Sequence, residues 1–259
     1  MGELDGRVAA VTGGTRGIGR AIAEAFVRDG AQVVVNGRSP DKGEKALAEM
    51  DAGDNAHFIA GDMKQREDCD ALIDGTVERY GHIDILVNNA GGSTGAAPVA
   101  DMTDEAMQDA LVWNFWHTFW CTRQALSHMI PQQWGRIINI SSVEGKMGKP
   151  AISHYVAAKH AINGLTKSCA VEVGTLGITV NALCPGAIET DVMKSEGPGA
   201  AEAMGLTYEG LLDLFAEEAA IKRLNEVEDV ATVATLLASD AGAGITGSMI
   251  SIDGGTAPY

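Results

Sequence analysis

The chain has 259 residues, ample for a buried core, and 46% of them are hydrophobic, which marks a globular protein rather than a disordered one. Its formal charge of -16 argues against any partner held through phosphates or anionic lipid, so neither nucleic acid nor a membrane surface is expected, while a small ligand in a local pocket remains open. Cys69, Cys121, Cys169 and Cys184 form no C-x-x-C pair and have no histidine at ligand spacing, so no metal site and no disulfide framework is expected.

The opening Met1-Gly2-Glu3-Leu4-Asp5 has neither a basic stretch nor an apolar run, and no segment is apolar for long enough to span a bilayer. The expected location is the cytoplasm, with the cysteines as small buried hydrophobes in a reducing compartment. Short β-branched runs predict strands at Val8–Val11, Gln32–Val35, His57–Ala60, Ile83–Val87, Arg136–Ile140, Thr179–Leu183 and Met249–Ile252. Several are apolar almost throughout, as parallel strands covered on both faces must be. Between the first two, Ile18, Ala21, Ile22, Ala25 and Phe26 make one helical stripe. Similar stripes predict helices within Asp68–Tyr80, Asp104–Met129, Tyr155–Val173 and Val227–Ala238.

Strand and helix alternate to the end, with no linker or repeat. The expectation is one α/β domain over residues 1–259: a Rossmann fold, its doubly wound seven-stranded parallel sheet carrying helices on both faces. Residues 186–220 depart from this rhythm with no strand of their own. A long excursion after a strand end is where a substrate cover sits. The plainer alternative is a surface helical hairpin.

Thr12-Gly13-Gly14-Thr15-Arg16-Gly17-Ile18-Gly19 follows the first strand and opens the first helix. A glycine-rich turn there lets backbone N–H groups approach a pyrophosphate, with the positive end of the helix dipole behind them. The second strand ends in Val35-Asn36-Gly37-Arg38-Ser39. A dinucleotide fold that reads a free ribose 2′-OH places Asp or Glu at this point. Here neither Asn36 nor Gly37 is acidic, and Arg38 with Arg16 offers guanidinium forks for a 2′-phosphate. NADP(H) is therefore the expected cofactor, with NAD(H) possible and two merely solvated arginines as the plainer alternative.

Tyr155 and Lys159 lie at i and i+4 on a predicted helix and project from one face. A free tyrosine titrates near pH ~10, too high for easy proton exchange at neutrality. A neighbouring ammonium and an oxidised nicotinamide both favour the phenolate. The Y-x-x-x-K spacing is weak by itself. Its surroundings strengthen it: Ser141-Ser142 ends a buried strand, Asn114 interrupts an apolar helix, and Asn88-Asn89-Ala90-Gly91 and Pro185-Gly186 end two further strands. All fall at the carboxyl edge of the sheet, where open α/β folds bind ligands.

This set resembles the short-chain dehydrogenase/reductase family over essentially the whole chain. The family's cofactor turn matches Thr12–Gly19, its N-N-A-G matches Asn88–Gly91, and its Y-x-x-x-K matches Tyr155–Lys159. The serine thirteen residues before the tyrosine is Ser142. The P-G-x-x-x-T element matches Pro185–Thr190, taking in Gly186, Ile188 and Thr190, and the D-x element near the adenine matches Asp62-Met63. The resemblance implies that Tyr155 exchanges a proton with the carbonyl or carbinol oxygen and that Ser142 hydrogen-bonds that oxygen. It also implies that Lys159 holds the nicotinamide ribose and lowers the tyrosine pKa, and that Asn114 anchors a water of a proton relay. The cofactor contacts it implies are Gly13, Thr15, Arg16, Gly17, Ile18, Gly19, Arg38, Ser39, Asp62, Met63, Asn89, Ala90, Gly91, Tyr155, Lys159, Pro185, Gly186, Ile188 and Thr190.

The substrate is less legible. Ser93, Thr94, Glu144, Lys146, Met147, Ala187, Met193, Leu206, Tyr208 and Leu211 are candidate pocket residues. The Met- and Leu-rich cover fits an apolar cyclic ketone or a 3-oxoacyl thioester. Relatives that work on acyl carrier protein tend to present basic residues before the serine strand and after the catalytic helix. Here Pro131-Gln132-Gln133-Trp134 and Gly174-Thr175-Leu176 present none, which points to a CoA thioester or a free alicyclic or steroid-like ketone instead. The alternative reading is an NAD-dependent, hydroxysteroid-like alcohol dehydrogenase working oxidatively. A non-catalytic dinucleotide sensor has no use for Ser142, Tyr155 and Lys159 together, and an epimerase of the related extended family needs a longer C-terminal part. Finally, Trp113–Trp120 holds three of the four tryptophans and two of the five phenylalanines. A helix apolar around so much of its girth fits a homo-oligomer, a dimer or tetramer, or else an unusually aromatic core helix.

Overall fold

The computed structural model describes residues 2–93 and 95–257; Met1, the expected pocket residue Thr94, Pro258 and Tyr259 lie outside the described residues. Seven parallel strands, β1 (Val8–Val11), β2 (Gln32–Gly37), β3 (Ala56–Ala60), β4 (Ile85–Asn88), β5 (Gly135–Ile140), β6 (Ile178–Pro185) and β7 (Met249–Ile252), form one sheet. Their order is β3-β2-β1-β4-β5-β6-β7. The chain winds outward from β1 in one direction and then crosses to β4, so the order reverses between β1 and β4. In open sheets of this kind the ligand crevice lies outside the carboxyl ends of the strands at such a reversal.

The strand residues sort between two cores by their alternation. Ala9, Val11, Val33, Val35, Ile85, Val87 and Leu183 face α1 (Gly17–Arg28) and α9 (Val227–Ala238). Ala10, Val34, Leu86, Ile137 and Val180 face the other side, against α3 (Arg66–Tyr80), α5 (His117–Gln132) and α6 (Ser153–Val173). All four cysteines are buried and free. Among the described residues no helix is long and apolar enough to cross a membrane.

Departures from the expected elements have local causes. The fourth strand starts at Ile85 rather than Ile83 because the Asp84 carboxylate, not a strand carbonyl, takes the Val8 N–H at 3.0 Å. The helix α2 (Pro40–Met50) was not expected; its start is written in Ser39-Pro40, a capping hydroxyl followed by a residue with its φ already helical. The long helix expected over Asp104–Met129 is α4 (Asp104–Leu111), a π-turn at Val112–Trp116, and α5, which runs on to Gln132. Asn114 sits inside that π-turn, buried. Its amide donates to the Ala110 carbonyl and its own backbone carbonyl accepts from the Thr118 hydroxyl at 2.8 Å, so side chains stand in for the loosened backbone pattern. Residues 186–220 hold α7 (Asp191–Ala203) and α8 (Tyr208–Glu218), tied back to the body by a bridge between Ile188 and Asn225.

Candidate active site

The segments that follow the strands meet at the crevice with the π-turn and α6. The turn Thr12–Gly19 leaves β1 with Gly13 at φ +63° and Gly17 at φ +55°, backbone shapes that disfavour any side chain. It is held from below by the loop after β4: the Asn89 amide donates to the carbonyls of Thr12 (2.9 Å) and Gly13 (3.1 Å). In return the Thr12 hydroxyl accepts the N–H groups of Asn89 (2.8 Å) and Ala90 (2.9 Å). A Cβ on Gly19 would collide with the Asn89 amide and lie 2.6 Å from the Gly13 carbonyl oxygen. Asn89 and Ala90 thus brace the turn, a role that the resemblance alone does not reveal.

The helix α1 that follows has no acidic residue in its first turn and no side chain capping it. Its leading N–H groups are therefore available to an anion, with the dipole in support. Arg16 and Arg38 stand exposed beside this turn and at the end of β2, with no side-chain partner among the described residues. The fit to a phosphorylated ligand is physical: open N–H donors, uncommitted guanidinium groups and no acidic residue in the first turn of the helix.

Asn36, seen in the sequence only as a missing acid, proves to be the staple of this end. Its backbone carbonyl accepts the Gly14 N–H at 2.9 Å, and its amide donates to the carbonyls of Ile59 and Gly61. The Ser39 hydroxyl is taken up in capping α2, where it accepts the Lys42 N–H. The Asp62 carboxylate closes its own turn by accepting from the Lys64 N–H at 3.1 Å, while Met63 is buried in the core with its sulfur 3.9 Å from that of Cys69. From β6, Pro185 and Gly186 lead to Ile188, buried against the first core, and to Thr190, whose hydroxyl caps α7. Thr190 reaches back to the glycine turn, 3.6 Å from where a Cβ on Gly17 would stand.

The second half of the crevice carries the ionisable groups. Ser142 follows β5, and Tyr155 and Lys159 share one face of α6. The Lys159 ammonium, nearly fully buried, donates to the Ile140 carbonyl at 2.8 Å and lies 5.5 Å from the centre of the Tyr155 ring. Asn114 converges on the same place: its Oδ1 accepts the Gly92 N–H at 3.1 Å, and a Cβ on Gly91 would lie 2.5 Å from it and 3.7 Å from Lys159 Nζ. The loop is locked from behind, since Ser141 donates to the Lys159 carbonyl and the Asn163 amide donates to the Gly145 carbonyl at 2.8 Å. Further back, Asn88, Thr122, Asn139 and Thr166 form a buried chain of hydrogen bonds across β4, β5, α5 and α6.

Burial governs the charge in this half of the crevice. Burial pushes the Tyr155 phenol well above its ordinary value and the Glu144 carboxylate pushes it further, opposed by a hydrogen bond with Ser142. Burial also brings Lys159 down to about 8. Within the protein alone, desolvation is the largest influence on the phenol. His117, in the turn after Asn114, is held neutral, pushed down to about 3 by burial and then by Lys159.

Of the expected pocket residues, Glu144 touches Ser142 directly, Lys146 donates to Ser251 at 2.8 Å, and Tyr208 donates to Glu189 at 3.0 Å. Leu211 is the buried residue of α8 and offers no open surface, whereas Met204 and Leu206 of the α7–α8 connection are exposed.

The short chain dehydrogenase family model matches residues 7–201. A D-beta-hydroxybutyrate dehydrogenase of Rhizobium meliloti is 38% identical over 96% of this chain and 98% of its own. A 3-oxoacyl-[acyl-carrier-protein] reductase of Haemophilus influenzae is 37% identical, covering 97% and 98%. Among solved structures, a single-residue variant of an actinorhodin polyketide ketoreductase with NADPH superposes with a TM-score of 0.93 at 34% identity, covering 98% of each chain. With the glycine turn, the serine, the tyrosine and the lysine on one crevice, the chain belongs to the short-chain dehydrogenase family and is a hydride-transferring oxidoreductase acting on hydroxyl or keto groups.

Proposed function

We propose that the chain is an NADPH-dependent reductase of ketones, with apolar cyclic ketones or 3-oxoacyl thioesters as its substrate class. The observation that carries the cofactor reading is that Arg16 and Arg38 are exposed and make no side-chain hydrogen bond or ion pair among the described residues, with Arg16 at the start of an uncapped helix. The ketoreductase whose structure holds NADPH supports it. When bound, the dinucleotide supplies the hydride, which no side chain can.

The protein's own part is a proton and a place to put charge. Tyr155, with its pKa raised, is protonated throughout the neutral range and poised to donate to the carbonyl oxygen as charge develops there. Ser142 donates a hydrogen bond to the same oxygen. Lys159 orients the ribose and, through the Asn114 turn, refills the tyrosine with a proton. The same phenol serves either direction, as acid in reduction and, once ionised, as base in oxidation. The α7–α8 hairpin is read as the cover of one catalytic domain. Its exposed Met204 and Leu206 are apolar surface available to close over a ligand. The segments Pro131–Trp134 and Gly174–Leu176 hold no basic residue for an acyl carrier protein.

Two measurements test this. kcat/KM with NADPH should exceed that with NADH at least about tenfold, and Arg38→Ala should erase most of the difference; a clear NADH preference in the unmodified enzyme defeats the cofactor reading. Tyr155→Phe should abolish turnover while dinucleotide binding, followed by fluorescence, stays within about threefold. Wild-type rates in that variant would remove Tyr155 from its role.

A further inference from the structure

Ser142 has one proton to give. In the structure it goes to the Glu144 carboxylate, and the Glu144 N–H donates back to the serine oxygen at 3.3 Å. For Ser142 to bond the reacting oxygen, it must release Glu144. The side chain of Glu144 is only 15% exposed, so a released carboxylate loses a hydrogen bond that little water replaces. Lys149 does not fill the gap: its ammonium is 3.9 Å from the other Glu144 oxygen, 3.5 Å from Glu218 on α8 and 4.6 Å from the Phe215 ring. Lys149 is thus shared between two carboxylates, and Lys159, which feels Glu144 through space, gives its hydrogen bond to the Ile140 carbonyl.

We propose that Glu144 determines specificity, by accepting a hydrogen bond from a hydroxyl next to the reacting carbon and by refusing substrates with a carboxylate there. The inference rests on the ketone-reductase reading above. Its geometry is an exchange of partners. The substrate's reacting oxygen takes the Ser142 proton while a neighbouring hydroxyl gives its own to Glu144. Since Ser142 and Glu144 touch, the two substrate oxygens must lie within about 3–5 Å of each other, as they do on adjacent carbons. An acid in that place meets like charge in a partly desolvated pocket. A plain ketone leaves Glu144 without a donor, and an α-hydroxyketone satisfies both groups.

The test compares cyclohexanone, 2-hydroxycyclohexanone and acetoacetate as substrates with NADPH, in the wild type, Glu144→Ala and Glu144→Gln. In the wild type, 2-hydroxycyclohexanone should exceed cyclohexanone at least about tenfold in kcat/KM, and acetoacetate should be the poorest. Glu144→Ala should bring the first two within about twofold. Glu144→Gln, which keeps size and an acceptor but no charge, should raise acetoacetate at least about tenfold. If the alanine variant does not fold, the glutamine variant carries the test. Equal wild-type rates on the two cyclic ketones, or variant ratios unchanged from wild type, overturn the proposal while leaving the reductase reading intact. No turnover of any ketone by the wild type overturns that reading and this inference with it.

Discussion

Tyr155, the proton donor of the proposed reaction, is surrounded by reasons to keep its proton. Burial is the larger cause and Glu144 the smaller, and both raise the phenol. Glu144 also raises Lys159, which burial brings down to about 8. Replacing Glu144 by Gln removes an upward push from both groups, so both must titrate at lower pH. In the oxidative direction, which needs the phenolate, the rising limb of the pH–rate profile should therefore move to lower pH in Glu144→Gln. In the reductive direction, which needs the phenol, the alkaline fall should move the same way. Profiles with unchanged midpoints in both directions would show that Glu144 does not act on the proton. Ser142, Tyr155 and Lys159 were legible in the sequence because their spacing and strand-end positions are fixed by the fold. The weight of Glu144 was not: a carboxylate two residues past a serine gains meaning only when the 3-10 turn at Val143–Gly145 folds it back onto the hydroxyl.

The elements divide in the same way. Strands and long helices were readable because burial on two faces leaves apolar runs and stripes that local sequence displays. The joints between them were harder, since their chemistry is between residues far apart. Asn36 binds the β1 turn to β3, and Asn89 binds it to β4, across separations that no window of sequence spans. The π-turn at Asn114 was visible only as an amide out of place in an apolar helix. The turn–loop joint makes a sharp prediction. In Gly19→Ala the new methyl meets the Asn89 amide and the Gly13 carbonyl, both held by hydrogen bonds, so the turn or the N-N-A-G loop must shift. Dinucleotide binding should weaken at least about tenfold, alongside a loss of stability of about 1–3 kcal/mol for overpacking. Isothermal titration of NADPH and thermal melts read the two effects, and unchanged affinity would show that the turn does not set the cofactor's seat.

Over the whole molecule, the sum of charge and the place of apolar surface pull against each other. Trp116, stacked on Trp120 at 5.9 Å and edge-on to Phe119 at 6.0 Å, is 37% exposed. On the neighbouring helix α6, Val171 is 84% exposed, and Ile130 on α5 is exposed as well. The aromatic content that the sequence concentrates in Trp113–Trp120 is thus partly spent outside the core, which favours the oligomer over the core-helix reading. A net charge of -16 on each copy opposes their approach. Salt screens that repulsion over about 10 Å at 0.1 M and leaves apolar contact untouched, so association should tighten as ionic strength rises. Light scattering at micromolar concentration should find a dimer or tetramer, more populated at about 0.5 M salt than in dilute buffer. The double variant Trp116→Phe with Val171→Glu should be a monomer with an unchanged far-ultraviolet spectrum, because Val171 is 84% exposed and phenylalanine keeps an aromatic ring against Trp120 and Phe119 while giving up the outer part of the indole. A wild type that is monomeric at both salt concentrations returns the aromatic cluster to the surface of a single chain. Association that weakens with salt would place charged pairs, not the aromatic face, at the contact.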